Sequence, residues 1–202
     1  MTTSFKVLAA FARLLTSLSQ VILSLEKLLS GILIAMLLTL ILVNVATRMM
    51  RLPIYWIDEL SIFAMVWLGF IGASVMIRLR IDFAVTLVLD KLAEPWLAWM
   101  RAFGSALSLS FALVLVLICW AWLDPIGIAS HGFDARSFAA DSFNFLYTER
   151  TQTLEWPTWV VTLIIPIFAL TLVVHTSANL VEDLGLTPQR QQDVMATAEE
   201  TN

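Results

Sequence analysis

Ionisable and nucleophilic residues are few in this sequence, and their spacing limits what they can do. A single cysteine, Cys119, lies within an apolar run, so the chain has no internal disulfide, no CxxC redox pair and no cysteine metal cage. It reads as a small apolar core residue. His131, Asp134, Asp141 and Glu149 share one polar stretch, without HExxH or DxDxDG spacing. They read as a solvated loop, with no metal bound and no catalytic residue. Besides Cys119, His175 is the one titratable side chain inside an apolar run, near Thr171 and Thr176. A proton relay through it would need titratable partners in the other apolar runs, and these offer none; an interhelical or capping hydrogen bond is the expected role.

The densest polar constellation runs from Arg48 to Arg80. Trp56, Asp58 and Glu59 precede a long apolar stretch, and Arg78 and Arg80 follow it. Two acids at a helix start are favoured by the macrodipole. They could also anchor a basic patch on another subunit. Trp67, Gly69, Gly72 and Ala73 lie between, and small residues there allow close backbone approach, within a bundle or against a partner. Asn44 is expected to bond between helices, and Pro166 to kink its own.

The elements that must position these residues belong to a membrane protein. Of 202 residues 59% are hydrophobic and 14% charged, with a mean hydropathy of +0.85. A soluble domain is nearer half apolar and a quarter charged. The formal net charge of -4 disfavours nucleic acid as a partner. A span needs roughly 20 apolar residues to cross about 30 Å of hydrocarbon. The stretches 28–47, 60–77, 102–123 and 156–181 qualify, each bounded by charge. Tryptophans 56, 96, 99, 120, 122, 156 and 159 cluster at their ends, as an interfacial belt requires. The expected fold is an all-α integral membrane protein of four transmembrane helices in one membrane domain, 1–202.

Two further segments are amphipathic. In 5–25, Val7, Phe11, Leu14, Leu18, Val21 and Leu25 recur at helical spacing opposite Lys6, Arg13, Ser17, Gln20 and Ser24. In 81–99, Ile81, Val85, Val88, Leu92, Trp96 and Trp99 oppose Asp82, Thr86, Asp90 and Glu94. Both are expected to lie in the membrane interface. The stretch 124–155 is a polar loop on the outer side, and 186–202 a mobile polar tail. Lys and Arg are richest before the first span and between the second and third, which places both termini in the cytoplasm.

The runs Asn44-Val45-Ala46-Thr47-Arg48, Trp56-Ile57-Asp58-Glu59-Leu60 and Val66-Trp67-Leu68-Gly69-Phe70-Ile71-Gly72-Ala73, followed by Arg78, carry a resemblance. They resemble the small membrane subunit, DctQ-like, of tripartite ATP-independent periplasmic (TRAP) transporters. That family has an Arg ending its first helix, Trp-x-[Glu/Asp]-Glu opening the second, a Trp-Leu-x-Phe-x-Gly-Ala core and an Arg at its exit. The stretch 154–180 is similar to the family's last helix. Where the family often has His-Ile-x-Val-Asp after that Arg, this chain has Asp82, Phe83, Val85 and Thr86, so no role passes to those positions.

The resemblance implies an accessory, non-enzymatic subunit without a cofactor, in the bacterial inner membrane. Its partners would be a large multi-span permease subunit, a periplasmic substrate-binding protein and membrane lipid. The complex would take up organic acids on a sodium gradient, with substrate held elsewhere than in this chain. Arg48, Trp56, Asp58, Glu59, Trp67, Gly69, Gly72, Ala73, Arg78 and Arg80 would face the partner subunit or lipid. The competing expectation is a structural or anchor subunit of another membrane complex, such as a redox enzyme. A haem anchor would need several histidines within spans, and only His175 is there.

Overall fold

The computed structural model describes residues 3–81 and 96–188. Seven helices occupy them: α1 (Thr3–Met49), α2 (Tyr55–Leu79), α3 (Trp96–Leu123), α4 (Pro125–Ser130), α5 (Ala135–Ser142), α6 (Thr158–Thr162) and α7 (Ile164–Asp183). Among the described residues the sole β pairing is an isolated bridge between Arg150 and Pro157. Four helical stretches are long and apolar enough to cross a membrane; the first three contain the expected spans 28–47, 60–77 and 102–123, and the fourth begins at Thr158, two residues inside the expected 156–181.

The segments expected as an interfacial helix at 5–25 and a span at 28–47 form one uninterrupted helix, α1, of 47 residues. Its length is about 70 Å at 1.5 Å per residue, more than twice the hydrocarbon thickness. The sequence explains the continuity: no Gly or Pro lies between Thr3 and Ser30, so nothing separates the two segments. Amphipathy distinguishes faces of a helix; it does not end one.

The expected interfacial helix at 81–99 falls mostly on residues outside those described, Asp82 and Thr86 among them. Its last residues, Trp96–Trp99, are the first turn of α3. Pro95 precedes them in sequence, and proline favours a helix start. Of the expected mobile tail, Thr187 is buried, and Leu186 closes a cap on α7.

Burial follows a seven-residue period. Ala12, Ser19, Glu26 and Leu33 are the buried row of α1, joined by Leu23; Ile57, Ala64, Ile71 and Arg78 are that of α2; Ala112 and Cys119 are that of α3. A strict heptad keeps one stripe facing a neighbour and favours shallow left-handed crossings. Helix α7 is the hub, packing on α3, α2 and α1, while α1 also packs along α2. Leu33, Ala64, Ile71 and Ile164 form the apolar core where α1, α2 and α7 meet.

Pro166 has the expected effect. It lacks an N–H, so the ladder between Thr162 and Pro166 is broken, and α6 and α7 are separated at Leu163. The carbonyl of Val161, in the last turn before that break, accepts from the Trp67 indole Nε1 at 2.8 Å. This accounts for the one tryptophan placed mid-span.

Candidate functional site

The 124–155 stretch is more ordered than a solvated loop. Asp124 caps α4, its carboxylate accepting from the Gly127 N–H at 2.9 Å. A β-carbon at residue 127 would collide with that carboxylate, so glycine leaves the room the cap occupies. Asp134 caps α5, accepting from the Arg136 N–H at 3.1 Å. Phe138 is buried between His131 and Tyr147, and Tyr147 leans on Trp159. The Tyr147 hydroxyl donates to the Leu123 carbonyl at 2.6 Å, and burial pushes its pKa up, aided by the Asp124 charge. Both nitrogens of His131 face acceptors: Nδ1 the Gly127 carbonyl at 2.8 Å, Nε2 the Asp141 carboxylate at 3.0 Å. These raise its pKa above the ordinary 6.5, with the Gly127 carbonyl contributing most.

At the Trp56 end of the bundle, the two acids have partners within the chain. Asp58 accepts from Asn44 Nδ2 and from Arg48, each at 2.6 Å, and Arg48 Nε donates to Asn44 Oδ1 at 3.1 Å. This triangle ties the end of α1 to the start of α2, so Asn44 does bond between helices. Glu59 reaches across to the 124–155 segment. It accepts from the N–H groups of Gln152, Thr153 and Leu154 at 2.7–2.8 Å, and from the Thr153 hydroxyl. The carboxylate thereby binds three backbone donors of one turn, a contact that sequence spacing does not display. Trp56 is exposed beside this cluster.

At the opposite end, Arg78 is buried and paired. Its NH2 donates to Glu182 Oε1 at 2.7 Å, and its NH1 to Asn179 Oδ1 at 2.5 Å and Glu182 Oε2 at 3.1 Å. Arg80 donates to Asp183 at 2.7 Å and to the Asn179 carbonyl at 2.8 Å. Asp183 also accepts from Ser105 Oγ at 2.6 Å, which brings α3 into the network. Arg80 ends α2 in the left-handed region, at φ 56°, completing a Schellman cap with Ile81 N–H on the Met76 carbonyl. The same cap on α7 uses Gly185, at φ 71°. A non-glycine residue there costs about 1–2 kcal/mol, and the Arg80 side-chain bonds offset that cost.

One helical turn inward from the Arg78 end, at Ser74 on α2 and His175 on α7, lies a second buried network. His175, fully buried, places Nδ1 2.8 Å from Ser19 Oγ and Nε2 3.0 Å from Glu26 Oε2. Ser74 donates to Glu26 Oε1 at 2.7 Å and lies 3.1 Å from Thr171 Oγ1. His175 is thus bonded between helices, as expected. The expectation that it has no titratable partner is corrected, because Glu26, taken as a span boundary, is buried against it. Register explains the difference: position 26 falls in the buried heptad row of α1.

Gly69 and Gly72 are used differently. A β-carbon at either would meet nothing within 4 Å, so neither serves close packing inside this chain. Ile62, Val66, Gly69 and Met76 are exposed, and Ala73 partly so, on one outward face of α2. Among the described residues, no group of three or more His, Cys, Asp or Glu is placed to hold a metal.

Comparison with curated proteins and with solved structures gives no match. A family model does match: tripartite ATP-independent periplasmic transporters, DctQ component, over residues 37–186. That range holds the Arg48–Asp58 triangle, the Glu59 contact, the open face of α2 and the Arg78–Glu182 pair. With three of its spans, part of the first, these contacts and most of its length inside the match, the chain belongs to the DctQ family, the small permease component of TRAP transporters.

Proposed function

We propose that this chain braces the large permease subunit of a sodium-driven transporter that takes up organic acids delivered by a periplasmic binding protein. Membership of a tripartite family implies the two partners. The brace role rests chiefly on one observation: on α2, a β-carbon added at Gly69 or Gly72 would meet nothing within 4 Å among the described residues. Small residues on a helix face allow another helix to approach closely. The buried polar side chains support the same role, since Arg78 is bound to Glu182 and Glu26 to His175. Side chains fixed in this way hold helices together and are not free to carry a solute. We place the protein in the bacterial inner membrane with both termini cytoplasmic, on the distribution of Lys and Arg.

The test is reconstitution in liposomes with the large subunit, the binding protein and an inward sodium gradient. Gly69→Leu with Gly72→Leu builds on β-carbon positions that meet nothing within 4 Å and raises helix propensity. The variant should therefore fold as well as the parent, yet lose the complex in co-purification and lose uptake. Full uptake by the large subunit alone would overturn the brace role. Unchanged complex yield in the variant would remove the α2 face from it.

A further inference from the structure

At one end of the bundle, part of the 124–155 segment turns back onto the spans. Asn144 Nδ2 donates to the Trp122 carbonyl at 2.9 Å, and the Tyr147 hydroxyl to the Leu123 carbonyl at 2.6 Å. Those carbonyls belong to the last two residues of α3, where the uncharged run ends at Asp124. Residues 143–147 therefore sit at the depth of the span end and not beyond it. Trp120, less than one turn away on α3, is exposed, and an exposed indole at a span end marks the headgroup level.

Side chains alternate along this stretch. Asn144 and Leu146 face inward, the first bonded to α3 and the second buried. Phe143 and Phe145 face away from the bundle, 80% and 53% exposed. Phe143 also ends α5 in the left-handed region, at φ 56°, where glycine would be free of strain. A ring so exposed gains little from the fold in return. The backbone is meanwhile satisfied from within. The N–H groups of Phe143, Asn144, Leu146 and Thr148 donate to the Ala139 carbonyl, Ser142 Oγ, Asn144 Oδ1 and the Phe145 carbonyl. Irregular chain beside hydrocarbon needs that satisfaction, because lipid supplies no acceptors.

We propose that Phe143 and Phe145 are a lipid anchor: the two rings enter the boundary between headgroups and acyl chains beside α3 and hold the 124–155 segment down on the membrane. Depth and direction together favour lipid. Rings that point away from the bundle at the level of a span end meet the bilayer, whereas a soluble protein docking on the end of the bundle would not reach them. Helix α3 packs chiefly on α7, so it lies across α7 from α2, whose open face is the one proposed for the large subunit. The segment is then neither a solvated loop nor a free lid. It is pinned on its inner side by hydrogen bonds to α3 and on its outer side by lipid.

Spin labels on the full chain test the anchor, in nanodiscs of phosphatidylethanolamine and phosphatidylglycerol, alone and with the large subunit added. Phe143→Cys and Phe145→Cys are labelled singly in a Cys119→Ala background, with Leu117→Cys, exposed on α3, as the lipid reference. At 143 and 145, as at 117, collisions with oxygen should exceed those with a water-soluble nickel chelate, with and without the large subunit. The reverse ratio would place the rings in water and overturn the anchor. Low collision rates with both probes and an immobilised label would place the rings under protein, a second copy in the first sample or the large subunit in the second, and would also overturn it. Phe143→Gly with Phe145→Ser alters only exposed side chains and suits the cap, so the bundle should stay folded. Hydrogen exchange at 146–149 should then quicken about tenfold in nanodiscs. Unchanged exchange would show that lipid does not hold the segment, and would overturn the proposal.

Discussion

Glu26 and His175, 149 positions apart in sequence, meet at 3.0 Å in a buried site between α1 and α7. Each side chain has a further partner, Ser74 for the carboxylate and Ser19 for the imidazole. The cluster thereby joins three of the four long helices. Removing either Glu26 or His175 leaves the other buried with one hydrogen bond fewer, which costs more than removing the pair.

Glu26→Leu is therefore expected to lower stability by about 3 kcal/mol. Glu26→Leu with His175→Leu should recover a substantial part, because both ends of the contact become apolar together. Unfolding of the purified chain in detergent, run as a double-mutant cycle, gives the coupling. Additive losses would show that the two residues act independently.

Arg80 separates a backbone cost from a side-chain gain. Arg80→Ala and Arg80→Gly both lose the bonds to Asp183 and to the Asn179 carbonyl. Alanine keeps the left-handed cost and glycine does not. The glycine variant should be more stable than the alanine variant by about 1 kcal/mol, read from denaturant midpoints. Equal midpoints would mean that the cap rearranges when the side chain is lost.

His131 gives the 124–155 segment a pH dependence. Its folded pKa lies above the ordinary 6.5, held there by the Gly127 carbonyl and then by Asp141. Its contribution is complete below the ordinary value and disappears as pH rises through the higher folded value. Hydrogen exchange in α4 and α5 should become faster over that rise. Asp141→Asn should move the transition towards the ordinary value, and a transition unmoved by it would assign the shift to the Gly127 carbonyl alone.

Glu59→Gln should loosen the turn at 152–154. The amide keeps one acceptor oxygen where the carboxylate offers two, and three N–H groups rely on them. Exchange at Gln152, Thr153 and Leu154 should quicken while the core of α2 stays protected. Protection lost along α2 as well would show that this contact supports the helix and not only the turn.

The sequence made the spans legible because lipid requires long uncharged runs, and charges mark their ends. It also drew attention to Asp58 and Glu59, Arg78 and Arg80. Their partners were not legible. Glu182, Asn179 and the backbone of 152–154 are 93 or more residues away from them, and helix register decides which residues meet. The heptad row 12, 19, 26, 33 was the available signal that Glu26 faces inward, but an acid beside a lysine at a span boundary has the same composition as a solvated end. The continuity of α1 was missed for another reason. A change from amphipathic to wholly apolar sequence marks a change of surroundings, and only a residue such as proline would mark a break.

The hub position of α7 has a consequence for biogenesis. It is the last of the long helices to leave the ribosome, yet it supplies His175 to α1, Thr171 and Glu182 to α2, and Asp183 to α3. Until it inserts, the α1–α2 hairpin holds Glu26 and Arg78 without their α7 partners, and α3 lacks its main neighbour. Maturation is then a single late event in which the C-terminal helix joins three waiting ones. A nascent chain stalled before residue 164 should be recognised by quality-control proteases as unassembled, however completely its first three spans have entered the bilayer.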